Sequence, residues 1–399
     1  MTTPASTETG PVSGWFSEPD CRLADFRALV EQKTDLAGYP LADAVEQNVL
    51  IYSTALARQI TTAHGRRRAQ AELARALMDG PGIVVLSGAF ADTDVVDRAT
   101  AAFEAMIAEQ KAANRTAGDH FAKPGANDRI WGALDKLARR EPAVFADYYG
   151  NDLIALISEA WLGANYQITS QVNVVNPGGT AQIAHRDYHL GFMSNRTAQR
   201  YPAHVHRLSP ALTLQGAVAH CDMPIETGPT MYLPHSQKYP PGYVAFHLPE
   251  FTAYFDAHYI QLPLRKGDAV FFNPALFHGA GTNHSSTVRR TANLLQISSA
   301  FGRAMETVDR TAVCRAVYPA LLRLKADGTP QTTLDNIVAA SAEGYAFPTN
   351  LDQDQPIDGL TPPSQADLLH QALREGWDEP ALHAALEAQN RRREAAPAD

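Results

Sequence analysis

Tyr166-Gln-Ile-Thr-Ser-Gln-Val-Asn-Val-Val175, then Asn176-Pro-Gly-Gly179, then His185-Arg186-Asp187: these are the residues on which the fold turns. The first run is rich in β-branched and apolar residues and predicts a strand; the Pro-Gly-Gly cluster predicts the turn that ends it. A further strand over 181–188 then carries the histidine and the aspartate. Successive side chains on a strand point to opposite faces, so His185 and Asp187 project together while Arg186 points away.

Working outward, Lys266-Gly-Asp268 predicts a turn, Ala269-Val-Phe-Phe272 a short apolar strand, and Asn273-Pro274 its break. His278 falls just past that strand, and Arg289 just precedes the next one, Thr291-Ala-Asn-Leu-Leu-Gln-Ile297. With 14 histidines in the chain, a single one is more often a surface or core residue than a ligand. His185, Asp187 and His278 together form the two-histidine, one-carboxylate pattern that usually holds non-haem Fe(II) and leaves coordination positions open.

The pattern resembles the phytanoyl-CoA dioxygenase family of Fe(II)/2-oxoglutarate-dependent oxygenases. The resemblance is carried by His185-x-Asp187, Thr227-Gly-Pro-Thr-Met-Tyr-Leu-Pro-His-Ser236, Lys266-Gly-Asp268 and His278-Gly-Ala-Gly-Thr-Asn-His-Ser285 with Arg289, spanning residues 80–300. It implies an α+β fold with a double-stranded β-helix (jelly roll) core and flanking N- and C-terminal helices. It also implies Fe(II) on His185, Asp187 and His278, with 2-oxoglutarate and O2 as co-substrates. Arg289, at the family's position eleven after the distal histidine, would hold the far carboxylate of 2-oxoglutarate, and Asn173 would lie beside the co-substrate. The expected reaction is hydroxylation of an aliphatic C–H bond of a small organic or acyl substrate, with release of succinate and CO2.

The chain departs from the family at two points. Ala280 stands where a hydroxyl residue often assists the arginine, leaving Thr282 or Ser285 as substitutes, and Pro234-His-Ser-Gln237 replaces a Pro-Gly-Ser-His turn. Asp187 disfavours the halogenating chemistry of a related subgroup, which has a small residue there. A cupin-like metalloenzyme that does not use 2-oxoglutarate and a non-catalytic metabolite-binding jelly roll remain as alternatives.

Other constellations are weaker. His204-Val-His206 has strand-face spacing but lies among Arg200, Pro202 and Arg207, which predicts a loop. His220 and Cys221 are neighbours, which on a strand point oppositely and cannot pair as base and nucleophile. Gly279-x-Gly281 lacks the third glycine and the strand-turn-helix setting of a dinucleotide loop.

Composition bounds the class. In 399 residues, 45% hydrophobic and 19% charged, there is material for a large core. A net charge of -9 argues against general nucleic-acid binding, which needs a basic surface. The 3 cysteines, 21, 221 and 314, are widely spaced, suggesting neither a disulfide framework nor a thiolate zinc site. With no apolar run of membrane-spanning length, the expectation is a cytoplasmic enzyme acting on a small-molecule substrate, without nucleic-acid or membrane partners.

The expected organisation is a disordered N-terminus over 1–12, a helical N-terminal extension over 13–80, a jelly-roll catalytic domain over 81–304, and a helical C-terminal extension over 305–399 packed on the core. In the extension, Leu23, Phe26, Leu29 and Val30 recur at helical spacing, and Val49, Tyr52, Leu56 and Ile60 form a second stripe. Ser364-Gln-Ala-Asp367 reads as a capping signal. Basic residues between Asp187 and Arg207 suit an anionic substrate group, and equally suit a solvated loop on an acidic protein. His120, Lys123, Arg129 and Trp131 suggest a polar-aromatic lid.

Overall fold

The computed structural model describes residues 14–113, 125–357 and 359–395. Among these the chain forms β1 (Ala44–Glu46), β2 (Val49–Tyr52), β3 (Ile83–Leu86), β4 (Asn127–Ile130), β5 (Gln167–Val175), β6 (Thr213–Ala219), β7 (Met231–Leu233), β8 (Ala269–Phe272), β9 (Phe277–Gly279) and β10 (Arg290–Ser298). Eight of them make one sheet, ordered β1-β2-β3-β8-β6-β10-β5-β4, and β7 with β9 makes a second, small one. Its centre is antiparallel, with Asn173 opposite Ala292 and Gln215 opposite Gln296.

Helices precede, interrupt and follow the strands. They are α1 (Leu23–Val30), α2 (Ala55–Gln59), α3 (Ala63–Met78), α4 (Asp94–Ala112), α5 (Ala133–Arg140), α6 (Pro142–Tyr149), α7 (Asp152–Leu162), α8 (Asn195–Ala198), α9 (Ala203–Ala211), α10 (Gly242–Ala245), α11 (Pro249–His258), α12 (Arg310–Ala326), α13 (Gln331–Ser341), α14 (Gln365–Glu375) and α15 (Glu379–Arg393). The local chemistry sets their ends. Asn151 caps α7 by accepting from the Leu153 and Ile154 amides, and Ser364 with Asp367 closes a reciprocal capping box on α14, as the sequence predicts. No helix among the described residues is long and apolar enough to cross a membrane.

The pleat divides the main sheet into two environments. On the outer face Ile168, Val172 and Val174 of β5, Leu214 and Val218 of β6, and Leu295 and Ile297 of β10 join one core with Leu73, Phe103, Tyr148 and Leu156 of the helices. Leu156 and Leu295 are fully buried, so truncating either to alanine costs about 2–5 kcal/mol. On the inner face Val85, Val270 and Phe272 pack with Tyr232, Leu262 and Leu276 from the side of the small sheet. A cavity lies between these layers.

Several expectations need correction. Val49–Tyr52 is strand, not helix: Gln47 and Asn48 both have positive φ, 48° and 70°, the geometry of a two-residue hairpin turn matched to strand twist. β2 then pairs parallel with β3, so the first 80 residues contribute strands to the main sheet as well as helices. Only Leu56 and Ile60 of that stripe belong to the short helix and its end. Residues 181–188 are not a regular strand; they contribute the isolated bridge His185–His278, and further on Ile260–Tyr232 and Leu264–Met223 are likewise isolated bridges. The expected disorder over 1–12 concerns residues outside those described, as do His120 and Lys123.

Candidate metal centre

His185 and Asp187 lie in extended backbone held by one bridge. The His185 amide donates to the His278 carbonyl at 2.9 Å, the His278 amide returns a bond at 3.1 Å, and the Asp187 amide donates to Pro274 O at 3.0 Å. This brings His185 from the loop and His278 from β9 ring to ring, 4.4 Å between centroids. Directly after Asp187 the chain turns sharply, with φ of 61° at Tyr188 and 47° at His189. Arg186 points away as the alternation predicts: it is fully buried, donates to Ser236 O at 2.6 Å and Tyr239 O at 3.1 Å, and lies over the Tyr243 and Phe277 rings.

One ligand atom from each of His185, Asp187 and His278 lies within 4.8 Å of the others. The Asp187 carboxylate is 3.7 Å from His185 Nε2 and 3.3 Å from His278 Nε2. Each imidazole donates its Nδ1–H to a backbone carbonyl two residues earlier, Ile183 at 2.8 Å and Leu276 at 2.9 Å. That fixes the tautomer with Nε2 bare and turned to the shared point, the arrangement a metal-ligating histidine needs. Burial works to raise the Asp187 carboxyl, but the positive charge that His185 and His278 carry when doubly protonated, with the donating Gln215 amide, outweighs it and holds it well below the usual carboxylate range. The donor set therefore fits a divalent cation with open positions toward the cavity.

The cavity encloses about 390 Å³, and the triad, Asn173, Gln215 and Arg290 all reach it. Arg290, not Arg289, carries the guanidinium on the inner face of β10, in step with Ala292, Leu294 and Gln296. It donates to the Thr227 and Gly281 carbonyls at 3.1 and 3.3 Å, and no acidic partner is found for it among the described residues. Desolvation pulls it down to about 10. A buried cation without a carboxylate partner that also reaches a cavity can receive an anion there. Tyr232 and Thr230 complete it: the Tyr232 hydroxyl feels both Thr230 and Arg290, although burial pushes it upward overall.

Arg289 sits on the opposite side of the strand, 45% exposed, with Glu104 at 3.6 Å, Asp128 at 3.4 Å and Asn176 at 3.4 Å. It does not line the cavity. Neither substitute considered for the hydroxyl missing at Ala280 faces inward: Thr282 accepts from the Ala181 amide, and Ser285 donates to Asn283. Thr230 and Tyr232 were legible as a pair two residues apart within the Thr227–Ser236 motif; nothing in the sequence singled out Gln215.

The weaker constellations resolve as structure. His204 and His206 lie on α9, a helix rather than a loop; His204 is exposed, and buried His206 donates to Ala198 O at 3.1 Å. His220 bonds Thr100 and Tyr148, each at 2.8 Å, and Cys221 lies against Arg289 O and the Thr291 amide. Arg129 stacks over Trp131 at 4.4 Å, and both line the cavity.

Two imidazoles and a carboxylate beside an open cavity, with a buried guanidinium in the same wall, are the equipment of a non-haem iron oxygenase that takes an anionic co-substrate. A family model for phytanoyl-CoA dioxygenase (PhyH) matches residues 78–291, more than half of the chain. The chain belongs to the phytanoyl-CoA dioxygenase family and is an oxygenase of the Fe(II)/2-oxoglutarate type, using O2. Dioxygenase trt7 of Aspergillus terreus (strain NIH 2624 / FGSC A1156) is 27% identical over 230 residues, 56% of this chain and 72% of that protein. Among solved structures, the non-heme alpha ketoglutarate dependent epimerase SnoN from nogalamycin biosynthesis matches at 19% identity and a TM-score of 0.39, over 60% of this chain and 82% of its own. AviO1 from Streptomyces viridochromogenes Tue57 matches at 18% and 0.41, over 61% and 100%.

Proposed function

We propose that the protein hydroxylates an aliphatic C–H bond of a small organic substrate, converting 2-oxoglutarate to succinate and CO2, with His185, Asp187 and His278 holding the iron. The observation that carries the reading is Arg290. Its planar fork matches the distal carboxylate of 2-oxoglutarate bidentately, and Thr230 and Tyr232 offer hydroxyls to the same group. Asn173, in the same wall, offers its amide hydrogens to the co-substrate. Bound iron would supply the redox chemistry. The protein's part is to fix the ligands, orient both substrates and keep the apolar wall of Val270, Phe272, Leu262 and Leu264 dry.

The fold reading that goes with this is a jelly roll. Its support is the alternation of successive segments between sheets: β5 in the large one, the His185 segment bridged to β9, β6 in the large one, β7 in the small one, then β8, β9 and β10 in alternation. We place the catalytic unit at 81–304 with β1 and β2 added to its sheet, and the C-terminal helices of 305–399 packed on its outer side. Free Cys21, Cys221 and Cys314 suit a reducing cytoplasm.

Anaerobic protein given Fe(II) and 2-oxoglutarate should develop a weak visible charge-transfer band, and with O2 should form succinate. Folded, iron-loaded protein showing neither would refute the co-substrate assignment. A product heavier by one oxygen supports hydroxylation; one lighter by two hydrogens refutes it in favour of desaturation or ring closure.

A further inference from the structure

The inner face of β10 runs from Arg290 to Gln296, seven residues or about 20 Å of strand. One end carries the guanidinium, and the other carries amides. Gln296 is opposite Gln215 on β6, and Gln171 on β5 donates to Gln296 Oε1 at 3.2 Å. Gln171, Gln215 and Gln296 are 0%, 6% and 8% exposed. Gln215 donates its Nε2 to the Asp187 carboxylate, which leaves its Oε1 as an acceptor. That oxygen is buried and has no partner among the described residues, and neither has Gln171 Oε1. Gln215 and Gln296 line the cavity, and Phe192 and Met305, 60% and 37% exposed, form its apolar rim with Trp131.

We propose that the primary substrate docks at this amide end, and that it presents a hydroxyl or amine hydrogen to Gln215 Oε1 on an otherwise apolar body covered by Trp131, Phe192 and Met305. The proposal rests on the oxygenase reading of the same site. Its physical basis is that a buried amide oxygen without a donor costs free energy until a ligand supplies one. A carboxylate or phosphate at that point would face both the amide oxygen and the Asp187 carboxylate, and so be repelled. Sites built to hydrogen-bond a substrate hydroxyl discriminate strongly against analogues that lack it. Gln215 is thus a positioning residue for the metal ligand through one end of its amide, and a substrate contact through the other.

To test this, protein loaded with cobalt(II) and 2-oxoglutarate under nitrogen is titrated calorimetrically with phenylcyclohexanol, phenylcyclohexylamine and phenylcyclohexanecarboxylate. These share an apolar body and differ in the polar end. The alcohol or the amine should bind about tenfold tighter than the acid. In Gln215→Met that preference should vanish, and cobalt affinity should fall about tenfold to a hundredfold as the ligand carboxylate loses its hydrogen bond. Wild-type protein in which neither donor probe binds more tightly than the acid overturns the proposal, as does a Gln215→Met variant that keeps the preference. The wild-type ranking decides by itself if the variant fails to fold. The iron charge-transfer band separates the two readings: present alongside an acid preference, it refutes only this one; absent, it refutes the oxygenase assignment beneath it.

Discussion

Arg289 and Arg290 are neighbours in sequence and belong to different regions of the molecule. The outer face of the main sheet is a helix-covered core in which polar groups bond mostly to one another: His220 with Thr100 and Tyr148, and the Asn293 amide nitrogen with Tyr148 and Tyr149, although Asn293 Oδ1 has no partner among the described residues. On the inner face, among the described residues, Arg290 bonds only to carbonyls and Gln215 holds an unpartnered oxygen. Arg289 goes with the outer side, where exposed Glu104 and buried Asp128 meet it. Outer-face substitutions should therefore change stability, and inner-face substitutions should change binding.

Asp187→Ala should break the inner face most completely. It removes a ligand and leaves two facing imidazoles, so iron titration should show loss of tight binding and turnover should fall below detection, while the melting transition persists. Unchanged iron content would exclude the carboxylate as a ligand. Next, Arg290→Met should raise the 2-oxoglutarate concentration that half-saturates the charge-transfer band about a hundredfold, since a buried, hydrogen-bonded charge pair is lost. Tyr232→Phe should raise it by about threefold to tenfold, the worth of one hydrogen bond. A larger effect from Tyr232→Phe than from Arg290→Met would reverse the roles assigned here.

The outer face should respond in a different measurement. Burial holds the His220 imidazole down at about 3, against 6.5 for an ordinary histidine. The unfolded chain thus binds a proton there that the folded chain does not, between pH 6.5 and 3. Stability from this group is fully present above pH 6.5 and drains away as the pH falls toward 3. Denaturant midpoints followed downward from pH 7 should drop less steeply in His220→Gln than in the parent chain, and equal slopes would count against the buried neutral imidazole. Smallest of all, Arg289→Ala should leave 2-oxoglutarate binding within about twofold and stability within about 1 kcal/mol, because half-exposed ion pairs contribute little.

Much of the site was legible in the sequence because strand alternation is a local rule. His185 and Asp187 two apart, Arg186 turned away, and the turn at Asn176–Gly179 all follow from backbone geometry. Val49–Ile60 was misread because Val49, Tyr52 and Leu56 satisfy helical spacing, while the information that makes Val49–Tyr52 a strand lies partly in two left-handed residues before it and partly in a parallel partner, β3, over thirty residues away. That Arg289 falls outside the cavity and Arg290 inside it has a related cause. Both faces of β10 are buried, one by helices and one by the small-sheet layer, so its sequence shows no clean polar alternation to set the phase.

By itself, then, the amino-acid order determined which side chains are chemically able to hold iron, and that His185 and Asp187 share a face wherever the backbone between them is extended, because alternation is a local consequence of extended geometry. Only the tertiary structure decided which of two adjacent arginines enters the cavity, that Thr230 and Tyr232 join it, and that Gln215 on β6 donates to Asp187. Those outcomes depend on register between strands far apart in the chain, and a shift of a single residue exchanges every inward side chain for an outward one.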